Sequence, residues 1–332
     1  MKVLVTGSEG FIGSYLCSEL LKHDYQVCGI DNFSKYGEVI HVHDRHDNFT
    51  FVRGNAINLA ELCDTVHPDF VIAGAAMIGG IGYFHKYAYD LLATNERITA
   101  STFDYALDEF QHHNLQRIIV LSSSMVYEST KTYPTPESNI CPPPQSTYGF
   151  QKLACEYFCK GAYEQYGLPY TIIRPFNCIG VGEVDAIGEE NIMFTMSHVV
   201  PDLIRKSIQV GKNGSLPILG SGNQIRHYTY GGDIARGIRL AMESDKAINE
   251  DFNISSDRQV TVLELADLIW RKLYGDTVLA IQHCESYPYD VQIRSPSTEK
   301  AKDVLGFECE TNLEDALDIV IDWVRKQWPN LK

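Results

Sequence analysis

The sequence predicts an α/β protein built on a doubly wound parallel sheet, with a smaller mixed lobe in its C-terminal half. Six short apolar runs rich in Val and Ile occur in the first 180 residues, at KVLVTG, YQVCGID, FTFVRGN, FVIAGAA, RIIVLSSS and YTIIRPFN. Most of them are continuous rather than alternating in polarity, which is typical of strands buried on both faces of a parallel sheet. Segments with helical patterns separate them, and this alternation indicates a doubly wound sheet.

Helices between the runs are predicted from the spacing of apolar residues. One stripe is formed by residues 11, 12, 15, 16 and 20, and another by residues 154, 157, 158 and 162. This spacing places apolar side chains on one helix face, which we expect to cover the sheet. After about residue 180 the sequence changes to loops rich in Gly and Pro, with isolated helices predicted at 202–210, 233–243, 261–273 and 312–327. We therefore expect a Rossmann-type domain at 1–178, joined by parts of 225–255, and a substrate-binding lobe from the remaining segments of 179–332.

Composition excludes several classes of function. The 332 residues include 28 Lys and Arg against 43 Asp and Glu, a formal net charge of −15. Such a surface repels nucleic acid and anionic membranes, so neither is an expected partner. No apolar stretch approaches the roughly 18 residues that span a bilayer. If residues 1–6 form a core strand, no signal peptide can be cleaved from this end.

The cysteines indicate the compartment. There are nine, scattered through apolar patterns and without C-x-x-C spacing. We expect free thiols in a reducing cytoplasm and no metal centre. Cys155 and Cys159 share a helix face and could bind a metal, but core packing is the favoured interpretation.

A glycine-rich segment lies directly between the first predicted strand and the first predicted helix. It reads Thr6-Gly7-Ser8-Glu9-Gly10-Phe11-Ile12-Gly13. Glycines there permit a tight turn and a close approach of the backbone to a diphosphate, while the helix N-terminus offers free N–H groups. The segment therefore predicts a dinucleotide site.

An acidic residue refines the cofactor prediction. Asp31 ends the second predicted strand, 18 positions beyond Gly13. A carboxylate at this place accepts hydrogen bonds from the ribose hydroxyls of adenosine and repels a 2′-phosphate. We therefore predict NAD rather than NADP, with the nearby Lys35 keeping NADP as a minor alternative.

Reactive side chains are predicted at the start of one helix and the end of one strand. Tyr148 and Lys152 stand four residues apart and so share a helix face. An ammonium nearby favours the phenolate and makes the tyrosine a general base for a hydroxyl group. Three serines, at 122–124, end the fifth predicted strand at the sheet edge where open α/β folds bind ligands. A serine hydroxyl there can bridge the substrate oxygen to Tyr148.

Taken together, these motifs resemble the extended short-chain dehydrogenases/reductases of the nucleotide-sugar epimerase/dehydratase family. The resemblance extends over nearly the whole chain, through T-G-x-x-G-F-I-G, Asp31-Asn32, Ala75-Ala76, Asn95, S-S-S-x-V-Y, Y-G-x-x-K, Arg174-Pro175-Phe176-Asn177, the segment with Arg226, Asp233, Phe252-Asn253-Ile254 and Arg294-Ser295-Pro296. It implies a catalytic set of Ser123, Tyr148 and Lys152. It implies cofactor contacts from Gly7, Gly10, Phe11, Ile12, Gly13, Asp31, Asn32, Asn55, Ala75, Asn95, Tyr148 and Lys152. It also implies substrate contacts from Ser124, Asn177, His198, Arg226 and Arg294.

The sequence departs from the resembled family at positions that bear on the cofactor and on the reaction. Asn55 stands where an Asp is usual near the adenine, and Ala73-Gly74 replaces His-Leu. The family's dehydratases carry Asp-Glu directly after the catalytic residue, and its decarboxylases carry Glu at the second of these positions. Ser124-Met125 fills both, and neither side chain is an acid or base at neutral pH. We therefore expect epimerisation of a nucleotide-diphosphate sugar by transient oxidation at C4 and hydride return.

Alternatives remain open. Residues 75–82 and 197–201 resemble GDP-fucose synthase and GDP-mannose 3,5-epimerase, the first of which pairs a His at position 198 with a Cys at position 125. Met125 removes half of that pair, so His198 is either an acid/base for epimerisation at C3 or C5 or a polar contact to the sugar. A net oxidoreductase acting on an NDP-sugar is the second alternative, and a non-catalytic NAD-binding regulator is disfavoured by the intact Ser-Tyr-Lys set. The resemblance also implies a homodimer, paired through the helix that starts at Tyr148 and the helix around 98–107.

Overall fold

Seven parallel strands form the central sheet. The computed structural model describes residues 1–183, 198–285 and 291–327. The strands of the sheet are β1 (Lys2–Thr6), β2 (Gln26–Asp31), β3 (Phe49–Arg53), β4 (Phe70–Ala73), β5 (Arg117–Leu121), β6 (Tyr170–Pro175) and β11 (Glu250–Ile254). Across the sheet the strands follow the order β11-β6-β5-β4-β1-β2-β3. This order changes direction between β1 and β4, which is the position where open α/β sheets bind ligands.

Helices cover both faces of this sheet. The α-helices are α1 (Phe11–Lys22), α2 (Leu59–Leu62), α3 (Ile81–Lys86), α4 (Ala88–His112), α5 (Thr147–Tyr166), α6 (Val199–Val210), α7 (Gly231–Glu243), α8 (Val262–Tyr274), α9 (Glu299–Leu305) and α10 (Leu313–Gln327). Helices α1 and α7 pack on each other over one face, and α4 and α5 pack together over the other. The doubly wound α/β fold predicted from the sequence is confirmed.

Alternation along each strand divides the apolar residues between two cores. In β1, Val3 and Val5 enter the core under α1 and α7, whereas Leu4 enters the core under α4 and α5. All three side chains are fully buried. Because successive strand residues point to opposite faces, a continuous apolar run is what a sheet covered on both sides requires.

A third core belongs to the C-terminal lobe. It is formed chiefly by α6, α8 and α10, around the fully buried Trp270. Three two-stranded pairs accompany it: β7 (Cys178–Ile179) with β10 (Thr229–Tyr230), β9 (Ile225–His227) with β12 (Gln259–Thr261), and β8 (Ser215–Leu219) with β13 (Ala280–Cys284). The chain returns from this lobe to the sheet at α7 and β11.

The structure adds elements that the sequence pattern did not predict. Helix α9 and the β8/β13 pair were not predicted, and the seventh strand β11 is a short run at the position of Phe252-Asn253-Ile254. Among the described residues, none of the helices combines the length and hydrophobicity that crossing a lipid bilayer requires.

Candidate active site

One cavity of about 1330 Å³ lies at the carboxyl ends of the strands, between the sheet and the C-terminal lobe. Its lining includes every predicted site residue except Asn95: Gly7, Gly10, Phe11, Ile12, Gly13, Asp31, Asn32, Asn55, Ala75, Ser123, Ser124, Tyr148, Lys152, Asn177, His198, Arg226 and Arg294. Single small-molecule sites usually occupy about 300–1,000 Å³. The volume is therefore large enough for a dinucleotide and a second ligand together.

The glycine-rich loop has a backbone that only glycine accommodates. Gly7 has φ +76°, and its amide donates to the Ile30 carbonyl at 2.7 Å. A Cβ on Gly13 would lie 1.9 Å from the Gly7 carbonyl oxygen, far inside contact distance. The loop thus passes tightly into α1 and leaves the amides of the first helical turn facing the cavity, where a diphosphate can bind. These features fit a dinucleotide cofactor.

Asp31 is held at the end of β2 by two backbone amides. Its Oδ1 accepts from the Phe33 amide at 2.8 Å, and its Oδ2 accepts from the Glu9 amide at 3.2 Å. Burial raises the pKa of Asp31, while these two hydrogen bonds act in the opposite direction. Asp31 lines the cavity, and its contact with the adenosine ribose stays a prediction.

Other predicted cofactor residues support the backbone around the cavity. The Asn55 side chain accepts from the Ile57 amide at 3.1 Å and so caps a short 3₁₀ helix. Asn95 is buried, and its amide group accepts from Met77 N at 2.7 Å and donates to Met77 O at 3.0 Å. Since Met77 lines the cavity, Asn95 is placed to act through the loop after β4.

The predicted reactive set converges where β5 meets α5. Lys152 is buried and donates from Nζ to the Leu121 carbonyl at 2.7 Å. Ser123 follows β5, and its Oγ accepts from the Met125 amide at 3.2 Å. Tyr148 is 6% exposed and packs against Met125. The hydroxyl, phenol and ammonium groups of the predicted catalytic set therefore share one wall of the cavity.

The start of α5 is fixed by its N-terminal cap. Ser146 Oγ accepts from the Gly149 amide at 3.0 Å and donates to Glu128 Oε2 at 2.5 Å. A Cβ on Gly149 would lie 2.6 Å from Pro144 Cβ, so glycine permits the Pro-rich connector to approach the helix. N-capping residues of this type stabilise the first turn, which here carries Tyr148.

A buried charge network behind the wall was not predicted. Ser122 Oγ donates to Glu156 Oε1 at 2.6 Å, and Arg174 donates to Glu156 through Nε and Nη2 at 2.8 and 2.7 Å. Arg174 Nη2 also lies 2.8 Å from Asp251 Oδ2. Burial alone would lower the pKa of Arg174. The hydrogen bonds and negative charge of Glu156 outweigh this effect, so the pKa of Arg174 is raised above its usual value. The network ties β5, α5, β6 and β11 together beneath the reactive groups.

The predicted substrate contacts from the C-terminal half of the chain also line the cavity. Asn177 has φ 33° and donates from Nδ2 to the His227 carbonyl at 2.9 Å. Arg226 is on β9 and donates from Nη1 to the Ile225 carbonyl at 2.8 Å, while the Arg294 amide donates to that same carbonyl at 3.1 Å. Two arginines distant in sequence thus line the same cavity. Guanidinium groups suit bidentate contacts with a diphosphate.

Three other charged residues in this region were not predicted as site residues from the sequence. Asp202 lies 3.0 Å from Arg205 Nη2 and 2.5 Å from Lys206 Nζ, and all three line the cavity. His198 also lines it, and its Nδ1 lies 2.6 Å from Oε1 of the buried Glu183. Charged residues at 202, 205 and 206 were visible in the sequence, but their periodicity resembles that of any solvated helix face.

The fold and the cavity define an enzyme that binds a dinucleotide at the switch point of a Rossmann-type sheet. The chain belongs to the NAD dependent epimerase/dehydratase family, whose model matches residues 3–255. NAD is therefore its cofactor, and the glycine loop and Asp31 are the residues that fit it.

Known proteins similar to this chain include both epimerases and decarboxylases. An uncharacterised UDP-glucose epimerase of Bacillus subtilis (strain 168) is 28% identical over 330 residues, covering 96% of each chain. A UDP-N-acetyl-alpha-D-glucosaminuronate decarboxylase of Bacillus cytotoxicus is 26% identical over 98% of each chain. The crystal structure of UDP-glucuronic acid 4-epimerase from Bacillus cereus, in complex with UDP-glucuronic acid and NAD, matches with a TM-score of 0.82 and 26% identity over 98% of this chain and 100% of that one.

Proposed function

We propose that the protein is an epimerase of a nucleotide-diphosphate sugar that inverts C4 through a transient 4-keto sugar. The observation that carries this proposal is the composition of the cavity. Ser123, Tyr148 and Lys152 line it, and so do Arg226 and Arg294, together with the glycine-rich loop and Asp31 that we assign to NAD. This arrangement fits an oxidisable sugar hydroxyl held at Tyr148 while its diphosphate lies against the arginines.

The proton chemistry rests on Tyr148. Lys152 donates one hydrogen bond to the Leu121 carbonyl. This contact fixes its ammonium on the helix face that carries Tyr148. In this proposal Tyr148 takes the proton from the C4 hydroxyl and later returns it, with the Lys152 ammonium beside it. The Ser123 hydroxyl, anchored by the Met125 amide, can hydrogen-bond the same sugar oxygen. Bound NAD supplies the hydride acceptor and donor.

The residues after Ser123 weigh against decarboxylation and dehydration. Both reactions need an additional acid or base near C5 or C6, and the positions that supply it in the resembled family hold Ser124 and Met125. Both of these side chains are buried at the cavity wall. A hydroxyl and a thioether cannot exchange protons with carbon at neutral pH. C4 inversion requires no acid or base beyond the Ser-Tyr-Lys set.

A second candidate function rests on His198. His198 lines the cavity, and its Nδ1 lies 2.6 Å from Oε1 of the buried Glu183. An acid/base there would permit epimerisation at C3 or C5 next to a C4 ketone. A net oxidoreductase using the same Ser-Tyr-Lys set is the third candidate, and it requires exchange of the cofactor between turnovers.

Product analysis in D₂O separates these candidates. Purified protein is first screened by thermal shift with UDP, GDP, CDP and dTDP, because a ligand of the folded state raises its stability. The corresponding sugar nucleotides are then incubated in D₂O and analysed by NMR. C4 inversion by hydride return yields the epimer without deuterium. Deuterium at C3 or C5 of an epimer indicates the His198 reaction. Loss of CO₂ indicates decarboxylation, and formation of stoichiometric NADH indicates a net oxidoreductase. Each of these three results contradicts C4 inversion.

The Asp31 carboxylate is expected to make NAD bind more tightly than NADP. A 2′-phosphate beside this partly buried carboxylate is a close like-charge pair with little water to screen it. Asp31→Ala is expected to narrow the difference in Kd between the two cofactors, as measured by calorimetry. Asp64→Ala is the control, since Asp64 is an exposed carboxylate outside the cavity lining. Equal affinity of the wild-type protein for both cofactors would contradict this role.

We also propose that the protein is a homodimer joined through α4 and α5. A groove between these helices is lined by Phe103, Leu107, Phe150, Leu153, Tyr157, Phe158 and Tyr166, among others. Phe150 and Tyr157 are 48% and 64% exposed. A second copy of the chain is the occupant that covers this surface in a two-fold arrangement, because an isologous interface uses the same patch on both subunits.

Substituting Tyr157 tests the dimer. Tyr157→Glu is expected to give a monomer at micromolar concentration by light scattering, because it places a charge at the centre of an apolar interface. Val278→Glu is the control, since Val278 is 86% exposed and lies outside α4 and α5. A monomeric wild-type protein would contradict the proposal.

All nine cysteines are free thiols. We propose that the protein works in a reducing cytoplasm, where such thiols persist.

A further inference from the structure

A cluster of ligand-type side chains lies behind the glycine-rich loop and is not used by the proposed reaction. Glu9 is the fourth residue of that segment, and its side chain is 3% exposed. His43, 1% exposed, places Nε2 at 3.3 Å from Glu9 Oε1 and at 3.5 Å from Asp44 Oδ1. His41 places Nε2 at 3.7 Å from Glu9 Oε2. One imidazole and two carboxylates thus meet in one place, and a second imidazole lies beside Glu9.

The polar atoms of this cluster are incompletely partnered. Among the described residues, Glu9 Oε2, His41 Nε2 and His43 Nδ1 are buried without a hydrogen-bond partner. A buried polar group left unsatisfied costs about 1–3 kcal/mol, and more when it is charged. Glu9 Oε2 and His41 Nε2 face each other across a gap too long for a hydrogen bond and of the length that a bridging cation spans.

We propose that Glu9, His43 and Asp44 bind a divalent transition-metal ion, with His41 as the fourth ligand. Zinc is the ion that fits best. Its bonds to nitrogen and oxygen are about 2.1 Å long, so the ligand atoms of a tetrahedral site are about 3.4 Å apart. The separations of 3.3 and 3.5 Å around His43 Nε2 match that spacing. Imidazole with carboxylate is also a donor set that zinc accepts.

Neighbouring groups hold these ligands in place. Ser8 Oγ donates to Glu9 Oε1 at 2.9 Å, and the His41 amide donates to Asp44 Oδ2 at 2.7 Å, leaving Oδ1 toward His43. The Phe49 ring packs edge-on against the His43 ring at 4.7 Å. Such supporting contacts orient metal ligands before the ion arrives. The cysteine pattern predicted no metal centre, and these ligands come instead from an H-x-H segment and the cofactor loop.

The site adjoins the NAD-binding region. The Glu9 amide donates to Asp31 Oδ2, and both residues line the cavity. A cation held by the Glu9 side chain offsets negative charge beside the place where the diphosphate of NAD binds. Metal binding and NAD binding are therefore expected to strengthen each other, and this coupling is reciprocal by linkage.

The test uses untagged, chelator-treated full-length protein titrated with Zn²⁺ and with Co²⁺. We expect one Zn²⁺ per chain by dialysis and elemental analysis, a tetrahedral Co²⁺ absorption band, and a rise in Tm on adding Zn²⁺. His43→Gln and Asp44→Asn are each expected to weaken Zn²⁺ binding by at least about tenfold, because ligand loss exceeds the effect of losing a supporting contact. The Tm increase caused by NAD verifies that each variant is folded.

A second histidine group provides the matched control. His67, Glu109 and His113 also lie close enough to hold an ion, but both of these histidines are exposed. His113→Gln is expected to leave Zn²⁺ binding unchanged. Loss of binding in His113→Gln with retention in His43→Gln would overturn the proposal, as would a wild-type protein that binds no Zn²⁺ or Co²⁺.

Discussion

Tyr148→Phe is expected to abolish turnover while leaving binding of the nucleotide sugar near that of the wild-type protein. The phenyl ring keeps the packing against Met125, whereas loss of the hydroxyl removes the proposed base. Removal of a general base costs about 10²–10⁴-fold in rate. Turnover is measured by NMR on the substrate identified by the nucleotide screen, and binding is measured by calorimetry.

Lys152→Met supplies a companion measurement. It is expected to slow the same step, because it removes the ammonium beside the proposed base, and to weaken NAD binding as well. The losses in the double variant should not multiply, since both residues act through one proton transfer. Lys160→Met is the control on the same helix, because Lys160 is exposed. If Tyr148→Phe kept more than about a tenth of wild-type turnover, Tyr148 would not be the base, and His198 would be the next candidate.

Arg174→Met is expected to destabilise the folded protein by about 3–5 kcal/mol, the range for breaking a buried ion pair by removing one partner. Arg174 is 6% exposed and holds Glu156 through two hydrogen bonds. Asp251 retains Lys300 at 2.9 Å, but Glu156 keeps only the Ser122 hydroxyl among the contacts described above. The uncompensated carboxylate is the physical cause of the expected loss. Urea unfolding followed by circular dichroism gives the change.

An exposed ion pair in the same chain is the control for this measurement. Arg258 pairs with Glu314, and both side chains are about two-fifths exposed. Exposed pairs contribute about 0–1 kcal/mol, so Arg258→Met should have little effect. A loss in Arg174→Met no larger than that in Arg258→Met would show that the buried network does not stabilise the fold.

The parts of the protein predicted from sequence are those encoded by short-range patterns. The six apolar runs became β1 to β6, and the glycine loop and the Tyr148/Lys152 spacing are local signatures of a turn and a helix face. Their meeting in one cavity follows from a parallel sheet, because its strands end at the same edge. The residues from Asn177 to Arg294 could be placed there only through the family resemblance.

What the sequence did not predict depends on contacts between distant residues. Glu156 and Arg174 are 18 positions apart, Asp251 is 77 positions beyond Arg174, and nothing local links them. One signal was available: Arg174 ends a run of apolar strand residues, and a charge buried in such a run requires a partner. The contact between Glu9 and His43 was also not predictable from local patterns. A loop carboxylate and an H-x-H segment come together only when β2 and β3 lie side by side.

The position of β11 beside β6 has a consequence for the order in which the protein forms during synthesis. Strand β6 ends at residue 175, but its neighbour ends only at residue 254, after the chain has passed through part of the other lobe. At about 5–20 residues per second, β6 waits roughly 4–16 s on the ribosome with one edge of its backbone unpaired. Exposed strand edges recruit other chains. The nascent chain is therefore expected to be prone to pairing with other chains through this edge until β11 forms.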